Sequence, residues 1–275
     1  MQRIIRFRNH SIFLILGGVF VGIVLFCALI SIIYLPDDPM ATNSMTKLAA
    51  PSADHLFGCD HEGRDVLSRV ILGSRPTVII SLLGILIALL LGMLLGSAAG
   101  YFGGAPDHFL MLISDSIMAF PGILLALVFV AVIGKGLPGL IFGLGIVFAP
   151  SYARIFRTGI RQLKDREYIL LARLIGVKPP RILFVHLFPG LVPQLAPAIV
   201  VGIANMAMAE AGLSYLGQGV QIPQPSLGNM LMEGQSYLVY APWIIIFPSI
   251  YLLFYVLGMY FLSEGVRMKF KTGGV

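Results

Sequence analysis

Charge is scarce in this chain. Asp, Glu, Lys and Arg make up 12% of its 275 residues, against 57% apolar side chains and a mean hydropathy of +0.91. A water-soluble domain carries roughly 25% charged residues, so a soluble globule is excluded and a polytopic membrane protein is implied. Cysteine is nearly absent too: Cys27 lies in an apolar run and Cys59 in a polar loop, which supports neither a disulfide framework nor a metal cluster. No Gly-x-x-x-x-Gly-Lys-Ser/Thr phosphate loop occurs. The chain is therefore expected neither to bind ATP in that manner nor to hydrolyse it alone, and no catalytic residue is assigned. The formal net charge of +6 does not argue for nucleic acid, because the positive residues stand at the ends of apolar runs, where lipid topology accounts for them.

Long apolar runs are what the chain does have. A bilayer core is crossed by about 20 apolar helical residues. Six segments qualify: Ser11–Tyr34, Thr77–Gly100, Phe109–Ile133, Leu137–Ala153, Leu187–Gly212 and Ile244–Leu262. The first follows Arg3, Arg6 and Arg8, yet exceeds the ~7–15 apolar residues of a signal core, so it reads as an uncleaved span. With the N-terminus placed in the cytoplasm, fourteen of the nineteen Lys and Arg residues fall inside; Lys47, Arg64, Arg69, Arg75 and Lys135 fall outside. That bias predicts cytoplasmic termini. The chain divides into residues 1–75 (first helix and extracytoplasmic loop), 76–266 (a core with cytoplasmic loop 154–189) and 267–275 (a cytoplasmic tail). Gly84, Ala88, Gly92, Gly96 and Gly100 recur at four-residue intervals and predict a stripe where another helix approaches closely.

Residues 154–189 hold eight of the nineteen Lys and Arg residues. Within them Asp165 reads as a helix N-cap, Glu167 suits the positive first turn, Gly176 suits a left-handed C-terminal residue, and Pro179 and Pro180 suit the start of a second short helix. Leu170, Leu171, Leu174 and Ile175 gather on one side of this helix, Ile169 and Ala172 on another. Two readings stand: a helix lying on the membrane surface, or a docking element for another protein. Outside, residues 55–75 mix charges of both signs through Asp60, Glu62, Arg64, Asp65 and Arg69, with Gly58 and Gly63 at turns. They form either a self-satisfied cap or a contact surface for a partner. Ionisable groups in spans are costly and hence candidates for function. Asp115 and Glu210, with Asn205 and Met206 beside the latter, are the candidate pathway residues. Asp115 has no evident partner in this chain, and Glu210 is expected near the outer end of its span. Met206 and Met208, two apart on a helix, diverge, so no metal site is expected.

Several ordered motifs add a resemblance. The run Glu167-Tyr168-Ile169-Leu170-Leu171-Ala172-Arg173-Leu174-Ile175-Gly176, followed by Pro189, is similar to the EAA loop of membrane subunits of binding-protein-dependent ABC importers. The spacing of triplet, Gly176 and Pro189 is intact, but Leu170 and Leu171 replace the family's Glu and first Ala. The run from Gly58 to Arg69 resembles a signature of C-type permeases in the peptide/nickel branch, usually with Thr at the Cys59 position. Gly100-Tyr101-Phe102-Gly103-Gly104, Asp115 with Phe120-Pro121, and Glu210-Ala211-Gly212-Leu213-Ser214-Tyr215-Leu216-Gly217 match that branch in order; Leu112 stands where relatives often carry Arg.

The resemblance implies an all-α fold of six transmembrane helices, the type I ABC importer permease fold, in a bacterial inner membrane. It implies a homologous second permease, two cytoplasmic ATPase subunits that hold ATP and Mg2+, and an extracytoplasmic binding protein. The chain itself would carry no cofactor. Leu170, Leu171, Ala172, Arg173 and Gly176 would seat in a groove of one ATPase. The implied cargo is a di- or oligopeptide, with nickel or a metal–chelator complex as the alternative in the same architecture. An ATP-independent transporter predicts inverted repeats, and none is convincing here. A membrane scaffold would explain the small-residue stripe but not the ordered loop motifs.

Overall fold

The computed structural model describes the backbone of residues 2–273 and the side chains of residues 11–271, so the side chains of Arg3, Arg6 and Arg8 lie outside the described residues. Apart from one isolated backbone bridge between Cys59 and Asp65, its regular structure is helical. The helices are α1 (Gln2–Ile30), α2 (Val66–Phe102), α3 (Gly104–Met118), α4 (Gly122–Ile133), α5 (Leu137–Leu163), α6 (Glu167–Leu174), α7 (Pro179–Arg181), α8 (Phe188–Tyr215), α9 (Leu227–Gly234) and α10 (Trp243–Gly273). A π-helical stretch, Ile182–Leu187, joins α7 to α8.

Among the described residues, five helical stretches are long and apolar enough to cross a membrane, and a sixth crossing requires α3 and α4 together. The span expected over residues 109–133 is not one helix: α3 and α4 meet at 95°. Pro121 supplies the reason. It has no N–H to continue a helix and sits in extended geometry (φ −56°, ψ 123°) ahead of α4. The fourth expected span is longer than its apolar run, because α5 continues past Pro150 to Leu163. The divisions at 75/76 and 266/267 both fall inside continuous helices, α2 and α10.

The small-residue stripe of α2 is a packing seam within the chain. A Cβ at Gly92 would stand 2.5 Å from Tyr152 Cβ, one at Gly100 2.9 Å from the Arg157 carbonyl oxygen, and one at Gly96 would overlap the Ala153 carbonyl. The backbones of α2 and α5 therefore run nearly in contact, which dispersion forces reward when both surfaces are small. Higher on the stripe, Met206 of α8 fills the space beside Gly84. On the opposite flank α1 packs along α10, where Phe20 stacks on Phe254 at 5.0 Å and Tyr251 donates to the Val24 carbonyl at 2.8 Å. The bundle thus has two ends: one bearing residues 31–65 and α9, the other bearing α6 and α7.

Candidate functional site

Helix α6 is short but firmly terminated. Its N-cap is Arg166 (φ −68°, ψ 145°), not Asp165, and no side-chain bond caps it. Asp165 is displaced because the chain is still leaving α5 through a turn, closed by Arg166 N–H donating to the Leu163 carbonyl at 3.1 Å. Glu167 occupies the first turn, where the helix dipole favours a carboxylate. At the other end Gly176 adopts φ +82°, with Gly176 N–H on the Arg173 carbonyl and Val177 N–H on the Ala172 carbonyl, both at 3.0 Å. That pair of bonds around a left-handed residue is a Schellman cap.

The two faces of α6 have opposite fates. Ile169 is fully buried and Ala172 is 6% exposed, whereas Leu171 is 61%, Leu174 83% and Ile175 74% exposed. The buried face holds the helix to the chain; the outward face leaves apolar side chains uncovered. Arg173 anchors the end of the helix by lying over the Tyr101 ring at 5.3 Å, at the last turn of α2. Pro189 is exposed in the first turn of α8.

Helices α3 and α5 are tied to each other by ion pairs. Buried Asp107, in the first turn of α3, accepts from Arg157 and, at 2.6 Å, from Arg161 of α5. The expectation that this chain offers Asp115 no partner is corrected: it pairs with Arg154 at 2.7 Å. The pairing was invisible because 39 residues separate the two positions.

At the opposite end, residues 58–69 fold inward. The Asp60 carboxylate accepts from the backbone N–H groups of Glu62 and Arg64, at 2.8 and 3.0 Å, and from Arg64 Nε at 2.7 Å. Asp65 caps α2 by accepting from Ser68 N–H at 2.7 Å. Arg64 and Arg69 both donate to one oxygen of Glu233, at 3.0 and 2.9 Å. Asp60, Arg64, Asp65 and Arg69 are all buried. Of the two expectations for this loop, the geometry fits the self-satisfied cap: these side chains tie loop, α2 and α9 together, and Glu62 is the charged group that faces out. Gly58 (φ +71°) and Gly63 (φ +79°) make the turns. Cys59 is buried in this cap, and burial pushes its thiol up from the ordinary range. Sequence reading missed Glu233, yet a signal existed: it is the only charged residue between Glu210 and Glu264.

Among the candidate pathway residues, Glu210 and Met206 are fully buried. Glu210 accepts from Thr77 Oγ1 at 2.7 Å and Ser214 Oγ at 2.8 Å, so it is an internal tie between α2 and α8, not a solvated group at the span's outer end. Asn205 is different. Its Oδ1 accepts from Tyr260 at 2.9 Å, and it lines a cavity of about 540 Å³ bounded by α5, α8 and α10. A second cavity, of about 350 Å³, opens at the α3–α4 break. Asp115 lines neither cavity.

With this geometry in view, the likenesses to known proteins are consistent with one another. Residues 88–266 match the binding-protein-dependent transport system inner membrane component family. The dipeptide transport system permease protein DppC of Alkalihalophilus pseudofirmus is 35% identical over 82% of this chain and 74% of its own length. The oligopeptide transport system permease protein OppC of Bacillus subtilis is 31% identical over 96% and 86%. The glutathione transport system permease protein GsiD of Pectobacterium atrosepticum is 37% identical over 79% and 72%. Inward-facing structures of the MetNI methionine ABC transporter superpose with TM-scores of 0.58 and 0.61, at 20% and 18% identity, covering 74% and 73% of this chain.

Proposed function

The chain belongs to the family of binding-protein-dependent inner membrane components and is a permease subunit of an ABC importer; from that premise we propose that it forms half of a translocation pathway for di- or oligopeptides. The observation that carries the mechanism is the uncovered apolar face of α6. Leu170, Leu171, Leu174 and Ile175 are exposed on a capped helix whose other face is fixed to the bundle. Such a helix moves as a lever: a partner that grips the outward face shifts α2, through Arg173 and Tyr101, and α8, through the Ile182–Leu187 stretch. In this reading Glu167, Leu170, Leu171, Ala172, Arg173, Gly176 and Pro189 form the coupling loop, seated on one of two ATPase subunits. ATP and Mg2+ are held there, and this chain is non-catalytic.

The remaining partners follow the same logic. A second, homologous permease completes the pathway, and an extracytoplasmic binding protein delivers cargo at the end bearing residues 31–65. The α6 end, like both termini, faces the cytoplasm. Peptide cargo is supported by relatives named for dipeptide, oligopeptide and glutathione transport. The deciding experiment is uptake by the complete importer in proteoliposomes. Leu171→Asp, which puts a charge on the docking face, should insert normally yet lose at least tenfold in uptake; uptake at the unmodified rate would sink the coupling role.

A further inference from the structure

The two cavities meet on one wall of the bundle, and their chemistries differ. Gln194, Asn205, Tyr260, Ser263, Glu264 and Arg267 line the larger one. Ile117, Ile123, Ala126, Val147 and Leu213 make the smaller one apolar. Phe148 and Ser151 of α5 line both, so the cavities lie on either side of a single turn of helix. Polar and ionised side chains are costly to present to lipid. Their concentration here, on three helices otherwise rich in apolar residues, marks the larger cavity as the wet side of the bundle.

The larger cavity suits a peptide main chain. The carboxamides of Gln194 and Asn205 each donate and accept, as a peptide bond does. Glu264 and Arg267, which bond each other at 2.7 Å, offer both signs of charge to the ends of a zwitterion. The smaller cavity has no charged lining residue and a volume at the low end of ligand pockets, which run from about 300 Å³. It suits one apolar side chain.

We propose that a translocating peptide lies across Phe148 and Ser151, with its main chain against the larger cavity and an apolar side chain in the smaller, so that this subunit itself favours peptides bearing an apolar residue. The inference rests on the peptide-cargo reading above and adds a specificity element to it.

The test uses the complete importer in proteoliposomes, with the unmodified binding protein saturated by either of two labelled tripeptides, Ala-Phe-Ala or Ala-Gly-Ala. Because the binding protein is constant, its preference cancels when variants are compared with the unmodified subunit. Ile123→Trp fills the apolar cavity from a half-exposed position and should lower the Ala-Phe-Ala to Ala-Gly-Ala uptake ratio at least fivefold, while binding-protein-stimulated ATP hydrolysis persists. Ile123→Ala, which enlarges the cavity, should leave the ratio at or above its starting value. Asn205→Leu should slow both peptides alike. If Ile123→Trp fails to insert, Val147→Phe decides on the same criterion. An unchanged ratio in an inserted, ATPase-coupled filling variant overturns the inference while the peptide reading stands. Uptake of neither peptide by the unmodified importer overturns both.

Discussion

Neighbouring side chains on α6 do opposite work, and a single substitution at each separates them. Ile169 is fully buried, so Ile169→Ala should destabilise the subunit by about 2–5 kcal/mol, the ordinary range for emptying an apolar site. Its thermal unfolding midpoint in detergent should fall. Leu171→Ala removes an exposed side chain and should leave that midpoint unchanged while reducing uptake. Equal thermal shifts for the two would contradict the assignment of faces. Glu233 makes a sharper case. It receives both Arg64 and Arg69, the latter 2% exposed; Glu233→Ala would leave Arg64 with Asp60 and Glu62, but Arg69 with Asp60 alone, at 3.4 Å. Removing one partner so that a buried charge is left uncompensated costs about 3–5 kcal/mol, which is the upper limit here because Asp60 remains. The variant should therefore unfold at distinctly lower temperature than Glu62→Ala, whose side chain is 46% exposed. These roles were only half legible beforehand. The acid–base mixture over residues 60–69 announced a network, but its keystone lies 164 residues away in sequence, beyond any local pattern.

Among the elements, α2 and α5 form the tightest pair because glycine lets backbone meet backbone. Gly96→Leu would drive a side chain into the Ala153 backbone, which cannot retreat as a flexible side chain would. It should abolish stable insertion, measured as protease-resistant protein in membranes, whereas Leu94→Ala, on the outward side of the same helix at 63% exposure, should not. Similar protease resistance in both variants would show that the seam is loose. The four-residue spacing made this stripe legible, since helix geometry alone puts those positions on one face. Its partner was not legible, because small residues admit any helix. The broken span is the converse case. Pro121 was visible in the sequence, but whether a proline bends, kinks or breaks a span depends on which neighbours satisfy the freed backbone groups.

For the molecule as a whole, the orientation proposed above has a direct test. A green fluorescent protein fused to the C-terminus should fluoresce, and an alkaline phosphatase inserted after Ala53 should be active; the reverse pair of results would invert the topology. The sequence by itself determined the membrane class, five of the six expected spans and the short apolar helix ending at Gly176 between basic residues, because hydropathy, helix period and C-cap chemistry are local properties of the chain. Tertiary structure alone decided which charges are spent inside and which remain available. Asp115 pairs with Arg154, Glu210 is sealed between α2 and α8, and the loop of residues 58–65 closes on Glu233. It also decided that Asn205 lines a cavity while Met206, its immediate neighbour, fills the core. Pairing and burial are properties of distance in space, and only the packed bundle brings distant residues within the few ångströms over which they act.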